Sequence, residues 1–297
     1  MRAAPVGRWT RVRSAPTRRT EVSAARVGRF IYVVGGFTSD GRSSALVERL
    51  DIATGRWSPS PAMPRPLNHM NTASYGGKLY VAGGYGAPTD TSSGATSQLW
   101  SFDPQRGSWS RLADAPVERA AAGAAVIGHR LYVVGGRNDH SATLGSTSIY
   151  DFTTGRWSLG PTLNHPKEHL AAVAARGALY VLGGRALGQG NFADVERWVP
   201  GRGGWRRLAP MPLPRAGFQA VVAGARIVVI GGEGASGTID RVDRFDPVTQ
   251  RWSRFAQLPT ARHGLGVVAD GPIIWAIAGG PQPGLTTTSV VERFHVG

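Results

Sequence analysis

The chain has 297 residues, among them 41 glycines, 20 prolines and no cysteine. The missing cysteine excludes disulfides, thiolate catalysis and thiolate metal sites, and no apolar run is long enough to span a membrane as a helix. The formal charge is +15, and all but two of the 34 basic residues, Lys78 and Lys167, are arginine. That bias reads either as a compositional habit or as a preference for an anionic partner.

In chain order, the opening MRAAPVGRWTRVRSAP is positive but has no apolar core, and Arg18-Arg19 leads into no apolar stretch. No export signal is therefore expected, and the expected location is cytoplasmic. A lone strand follows at Trp9–Val12. The next unit predicts four short strands: near Glu21–Val27, at Phe30–Gly35, at Val47–Asp51 and at Trp57–Pro61. They are rich in β-branched residues and bounded by Gly, Pro or Asp.

The same unit then recurs. A Gly-Gly pair closes a short apolar run at Gly36, Gly84, Gly136, Gly184, Gly232 and Gly280. The interval between pairs is constant except for the step from Gly84 to Gly136, which is four residues longer. A tryptophan recurs at Trp9, Trp57, Trp109, Trp157, Trp205 and Trp252. Its distance to the next first glycine is the same five times and one residue longer the last time. Asp51, Asp103, Asp151 and Asp246 stand six residues before their tryptophans in most units, whereas Val199 and His295 take that place in units four and six, whose turns should be less well tied. Pro88–Ala95 reads as a low-complexity insertion in unit two. After the last pair one strand remains, Val290–Phe294, so the sixth unit lacks a fourth strand and the first strand of the chain should supply it.

A period of roughly 50 residues, the Gly-Gly pair and the late tryptophan closely resemble Kelch repeats. The resemblance covers essentially the whole chain and implies an all-β, six-bladed β-propeller, a single domain over residues 1–297, with four antiparallel strands per blade. It also implies a ligand site at the top mouth of the central channel, reached by two positions per blade. The first stands at a fixed distance before the glycine pair, at the start of the innermost strand. It carries Glu21, His69, Ala121, His169, Gly217 and Gly264, on the reading that blade 6 has one extra residue. The position after the pair carries Phe37, Tyr85, Arg137, Arg185, Glu233 and Pro281. Deeper in the channel stand Asn71 and Gln219. Blade 6 is small and bare there, which leaves room.

These residues support three readings. The first is a monomeric binding propeller, in which Arg137 and Arg185 grip the carboxylate or phosphate of an anionic small molecule or acidic peptide. In that reading Phe37 and Tyr85 offer flat faces, and Asn71, Gln219 and Glu233 complete the mouth. The second is an epimerase- or mutarotase-like enzyme with Glu21, His69 and His169 as acid–base groups; copper oxidation through a Cys–Tyr crosslink is excluded. The third is a metal held by Glu21, His69 and His169, which have the composition of a two-histidine, one-carboxylate set. They lie on blades 1, 2 and 4 and must reach across the channel, so no metal site and no cofactor is assigned. Glu21 can equally pair with Arg19, and Arg185 with Glu233. His140, beside Asp139, is a minor rim candidate. Basic residues before the tryptophans and before each second strand predict a basic bottom face. No specific nucleic-acid or membrane partner is expected, because little aromatic interleaving and no groove-entering helix are visible.

Overall fold

The computed structural model describes residues 7–87, 93–140 and 142–296. Six four-stranded antiparallel sheets stand around an axis. In blade 1 the strands are Ser23–Val27, Phe30–Val34, Val47–Asp51 and Trp57–Ser60, hydrogen-bonded in that order from the axis outward. Blades 2 to 5 repeat the order, with innermost strands Asn71–Tyr75, Gly123–Ile127, Ala171–Ala175 and Gln219–Ala223. In blade 6 the inner three strands are Gly266–Asp270, Ile273–Ile277 and Val291–His295, and the outermost is Trp9–Arg11. Its register pairs Trp9 with Phe294, Thr10 with Arg293 and Arg11 with Glu292. The chain therefore closes its own ring, which hides two sheet edges that would otherwise invite pairing with other molecules. Most of insertion Pro88–Ala95 lies outside the described residues.

The second strands are the driest. Ile31 to Val34, Val228 to Ile230 and Ile274 to Ile277 are at most 1% exposed, since each is covered on both faces by neighbouring blades. Side chains from adjacent blades share six apolar clusters, such as Tyr32, Val34, Leu79 and Phe102 between blades 1 and 2. The repeated tryptophans fasten one blade to the preceding one. The indole N–H of Trp57 donates to Arg13 O at 3.3 Å, Trp109 to Pro61 O at 3.0 Å, Trp157 to Ala113 O at 2.7 Å, Trp205 to Pro161 O at 3.0 Å and Trp252 to Ala209 O at 3.1 Å. The repeated aspartates tie the turn between third and fourth strands. Asp51 Oδ1, for example, accepts from the backbone N–H of Ala53 and Thr54 at 3.1 and 3.4 Å. Blade 4, with Val199 instead, shows a register shift between Arg197 and Val199. In blade 6 no turn is needed at His295, whose carbonyl instead accepts from the N–H of Gly7 at 2.8 Å.

The Gly-Gly pairs sit where the second strand leaves the sheet, and both residues take left-handed backbone, as at Gly35 and Gly36 with φ of 58° and 87°. A Cβ on Gly36 would lie 2.4 Å from Thr20 O, so even the space for one is absent. In blade 6 the two left-handed residues are Ala278 and Gly279, with φ of 57° and 99°. The expected extra residue is therefore not there. An alanine accepts the left-handed slot at some cost in strain, the Gly-Gly reading falls one residue late, and the position after the pair is Gly280 rather than Pro281.

Candidate functional site

The mouth is built around a second set of left-handed residues. Glu21, His69, Ala121, His169, Gly217 and Gly264 all have φ between 51° and 62°. A chain of backbone hydrogen bonds joins them: His69 N to Glu21 O, Ala121 N to His69 O, His169 N to Ala121 O, Gly217 N to His169 O and Gly264 N to Gly217 O, at 2.7–3.3 Å. Val22 N closes the circle on Gly264 O at 3.2 Å. One residue earlier in each blade, Thr20, Asn68, Ala120, Glu168, Ala216 and His263 pair as short β-bridges with Phe37, Tyr85, Arg137, Arg185, Glu233 and Gly280. The left-handed turn breaks strand alternation, so in blades 2, 4 and 6 the preceding residue, Asn68, Glu168 or His263, also reaches the cluster.

This geometry brings Glu21, His69 and His169 together. One ligand-capable atom from each lies within 4.8 Å of those of the other two, so the reach across the channel is short. Their side chains are only 12%, 7% and 8% exposed. Glu21 does not pair with Arg19, which is buried against Glu48 at 2.7 Å. Instead Glu21 Oε2 lies 3.3 Å from His69 Nε2, and Oε1 lies 3.1 Å from His263 Nδ1. The Glu21 carboxylate leans over Gly264, where a Cβ would come within 2.5 Å of it. The space expected beside blade 6 is thus filled by Glu21.

The remaining mouth residues divide. Phe37 and Tyr85 are 1% and 0% exposed. They offer no face to a ligand, and instead meet the His69 ring edge-on, at centroid distances of 5.8 and 5.6 Å. This corrects their assignment as contact residues: they fix the imidazole. Burial pushes the Tyr85 hydroxyl up to about 12. Asn71 and Gln219 line both a space of about 40 Å³ that they share with Glu21, His69 and His169 and one of about 110 Å³ that they share with Ser23 and Thr72. Arg185 donates from Nε to Glu168 Oε1 at 2.9 Å and from Nη1 to Glu233 Oε1 at 2.6 Å. Arg137 stands at the rim, half-buried. His140 is exposed, while its neighbour Asp139 accepts from the N–H of Ala95 at 2.7 Å.

Two residues of this network, Glu168 and His263, are not among the site residues expected from the sequence. Glu168 joins Arg185 to His169, its Oε2 lying 3.1 Å from His169 Nδ1. His263 Nε2 lies 3.0 Å from Gln282 O. Reading one residue before each left-handed position would have found both, together with Asn68. Burial opposes ionisation of Glu21 and Glu168, but the neighbouring imidazoles, and Arg185 beside Glu168, outweigh it and hold both carboxyls well below the usual range. Burial pulls His69 down to about 4. Burial also opposes protonation of His263, yet the hydrogen bond and charge of Glu21 raise it.

On the bottom face the expected basic excess is smaller than the residue count implies. Arg29, Lys78, Arg130 and Arg226 each pair with the aspartate ending the third strand of their own blade: Asp51, Asp103, Asp151 and Asp246, at 2.5–3.6 Å. Arg8, Arg56, Arg156 and Arg251 are exposed.

The comparisons agree with this architecture. The family model described as the KLHDC2/KLHL20/DRC7 Kelch-repeats domain matches residues 6–167, and the Kelch motif matches 167–212 and 214–259. The chain belongs to the Kelch-repeat family. Kelch-like protein terF of Aspergillus terreus is 31% identical over 236 residues, 73% of this chain and 50% of its own length. Human Kelch-like protein 34 is 29% identical over 75% of this chain and 29% of its own. This Kelch chain thus spans half or less of the length of these curated relatives. The solved structure of YjhT superposes with a TM-score of 0.82 at 18% identity, over 94% of this chain and 95% of that one, a likeness of fold.

Proposed function

We propose that this Kelch propeller is a monomeric binding module that receives an anionic group, from an acidic peptide segment of a protein partner or a small molecule, on the rim of its top mouth. The carrying observation is the exposure of Arg185. Its side chain is 34% exposed, whereas Glu168, Glu233, His169, His69, His263 and Glu21 around it are between 5% and 16% exposed. Solvent, and so a ligand, reaches this guanidinium before the rest of the network. Two carboxylates orient its fork without covering it, and Arg137 stands on the adjacent blade. An incoming carboxylate would compete with Glu233 for Nη1 and draw on the charge of Arg137. The closely packed Glu21, His69 and His169 beneath favour a segment laid across the rim over a molecule swallowed by the channel. The acid–base reading is weaker, because Glu21, His69 and His169 are committed to one another beneath that rim.

A fluorescence-polarisation titration with a labelled Asp/Glu-rich peptide, and with its Asn/Gln counterpart, tests this. The acidic peptide should bind at least ten times more tightly. Arg137→Gln combined with Arg185→Gln should weaken it roughly 10- to 100-fold, the worth of about one charge-assisted hydrogen bond, measured where the variant is still folded. Equal affinity for the two peptides, or an unaffected double variant, would place recognition elsewhere.

A further inference from the structure

The geometry points to a divalent transition-metal site at the floor of the mouth, with Nε2 of His69, Nε2 of His169 and Oε2 of Glu21 as ligands and the remaining coordination open toward solvent. It stands independently of the anionic-partner reading.

Hydrogen-bond directions around the cluster fix the proton position on His69. The Ser43 hydroxyl donates to Ala87 O at 3.1 Å, so its oxygen accepts from Asn68 Nδ2 at 2.7 Å. That turns Asn68 Oδ1 toward His69 Nδ1, 2.5 Å away. An amide oxygen only accepts, so the His69 proton sits on Nδ1 and Nε2 carries a lone pair. Nε2 lies 3.3 Å from Glu21 Oε2. A cation placed between these two atoms would be held by both. Ligand atoms about 2.0–2.2 Å from a tetrahedral ion lie ~3.4 Å from each other, close to the distance seen.

The third ligand is held from the other side of the mouth. Arg185 Nη2, which can only donate, lies 3.4 Å from His169 Nε2. The His169 proton is therefore on Nδ1, which lies 3.1 Å from Glu168 Oε2 but makes no well-directed hydrogen bond to it. Asn68 thus orients His69 and His263 holds Glu21, while His169 Nε2, met by Arg185 Nη2 at 3.4 Å, exchanges that contact for the ion. Ligating imidazoles in metal sites are held as His69 is. The edge-on rings of Phe37 and Tyr85 further fix His69, and the His69 and His169 rings are 4.8 Å apart. Two imidazoles and one carboxylate suit zinc, cobalt, iron or nickel rather than magnesium or calcium.

The test uses the full chain, purified without a histidine tag, stripped with a chelator and titrated with Zn²⁺ and with Co²⁺. One ion per chain is expected, with a visible Co²⁺ absorption that Zn²⁺ abolishes. His69→Ala and Glu21→Gln should each weaken binding at least ~100-fold, and Asn68→Ala roughly 10- to 100-fold, as outer partners do. Should His69→Ala fail to fold, the isosteric Glu21→Gln decides alone. Less than about 0.1 ion per chain, Glu21→Gln binding like the parent, or ¹⁵N shifts showing both His69 ring nitrogens protonated in the metal-treated protein at neutral pH would each overturn the site.

Discussion

At the scale of single residues, the sequence made half of the mouth legible. Spacing from the glycine pair located Glu21, His69 and His169 because the left-handed position recurs at a fixed distance from it. It did not separate Phe37 and Tyr85, which the short bridges to Thr20 and Asn68 draw inward, from Arg185, whose long side chain still reaches the rim. Glu168 and His263 were missed because strand alternation assigns a residue and its neighbour to opposite faces, and a left-handed residue cancels that rule. The same burial has a consequence for pH. His69 is lowered to about 4 from an ordinary value near 6.5. Between those values the unfolded chain binds a proton that the folded one refuses, so this residue makes stability fall as pH falls through the window. The shift corresponds to roughly 3 kcal/mol at most. Urea unfolding with chelator present, at pH 7 and pH 4.5, should show His69→Gln losing less stability than the parent between the two conditions. Parallel losses would mean that His69 is already charged in the native state.

At the scale of elements, the glycine pairs, tryptophans and aspartates gave strand order and blade number directly, since each marks one turn or one staple. A further repeat was less visible. Two residues before the left-handed position, Arg19, Arg119, Lys167, Arg215 and Arg262 are 0–2% exposed. Each crosses to the third strand of its blade, too far along the chain for any short-range pattern to reveal a partner. Arg262 meets Glu292 at 2.8 Å and Arg215 meets Asp243 at 2.8 Å. Arg119 instead donates to the Ser146 and Ser148 hydroxyls at 3.0 and 2.9 Å and to the carbonyls of Gly135 and Ser146. No carboxylate among the described residues stands within ion-pair distance of it. Burial lowers Arg119, Arg215 and Arg262 alike, to about 10. Removing one partner of a buried ion pair leaves the other uncompensated, at a cost of about 3–5 kcal/mol. Removing Arg119 leaves no charge stranded. Arg262→Met should therefore destabilise by about 3–5 kcal/mol and Arg119→Met by clearly less, compared by chemical denaturation. Equal losses would show that the carbonyl contacts, not the ion pair, hold these loops.

At the scale of the whole molecule, the charge of +15 says little until it is placed. Around most of the bottom face the third-strand aspartates balance the basic residues that open the second strands. Blade 4 is different: Val199 replaces the aspartate, and Arg176, Arg202, Arg206 and Arg207 are all exposed. Arg197, Arg202 and Arg206 line a groove of about 420 Å³ together with Trp205. Part of the positive excess is thus gathered on the outer strands of one blade, beside the exposed arginines of the others. Such a patch should adsorb polyanions through counterion release, without reading sequence, and weaken steeply with salt. Trp205 is 7% exposed and so offers no stacking platform. Filter binding to two unrelated DNA duplexes across a salt series should give one affinity for both. Arg202→Gln with Arg206→Gln should lower the log–log salt slope by up to about 1.8, at about 0.9 for each phosphate no longer neutralised. Discrimination between the duplexes, or binding that persists in high salt, would instead mean that this groove recognises a specific nucleic acid. An unchanged slope in the double variant would mean that the excess charge acts from the exposed Arg8, Arg56, Arg156 and Arg251 on the other blades.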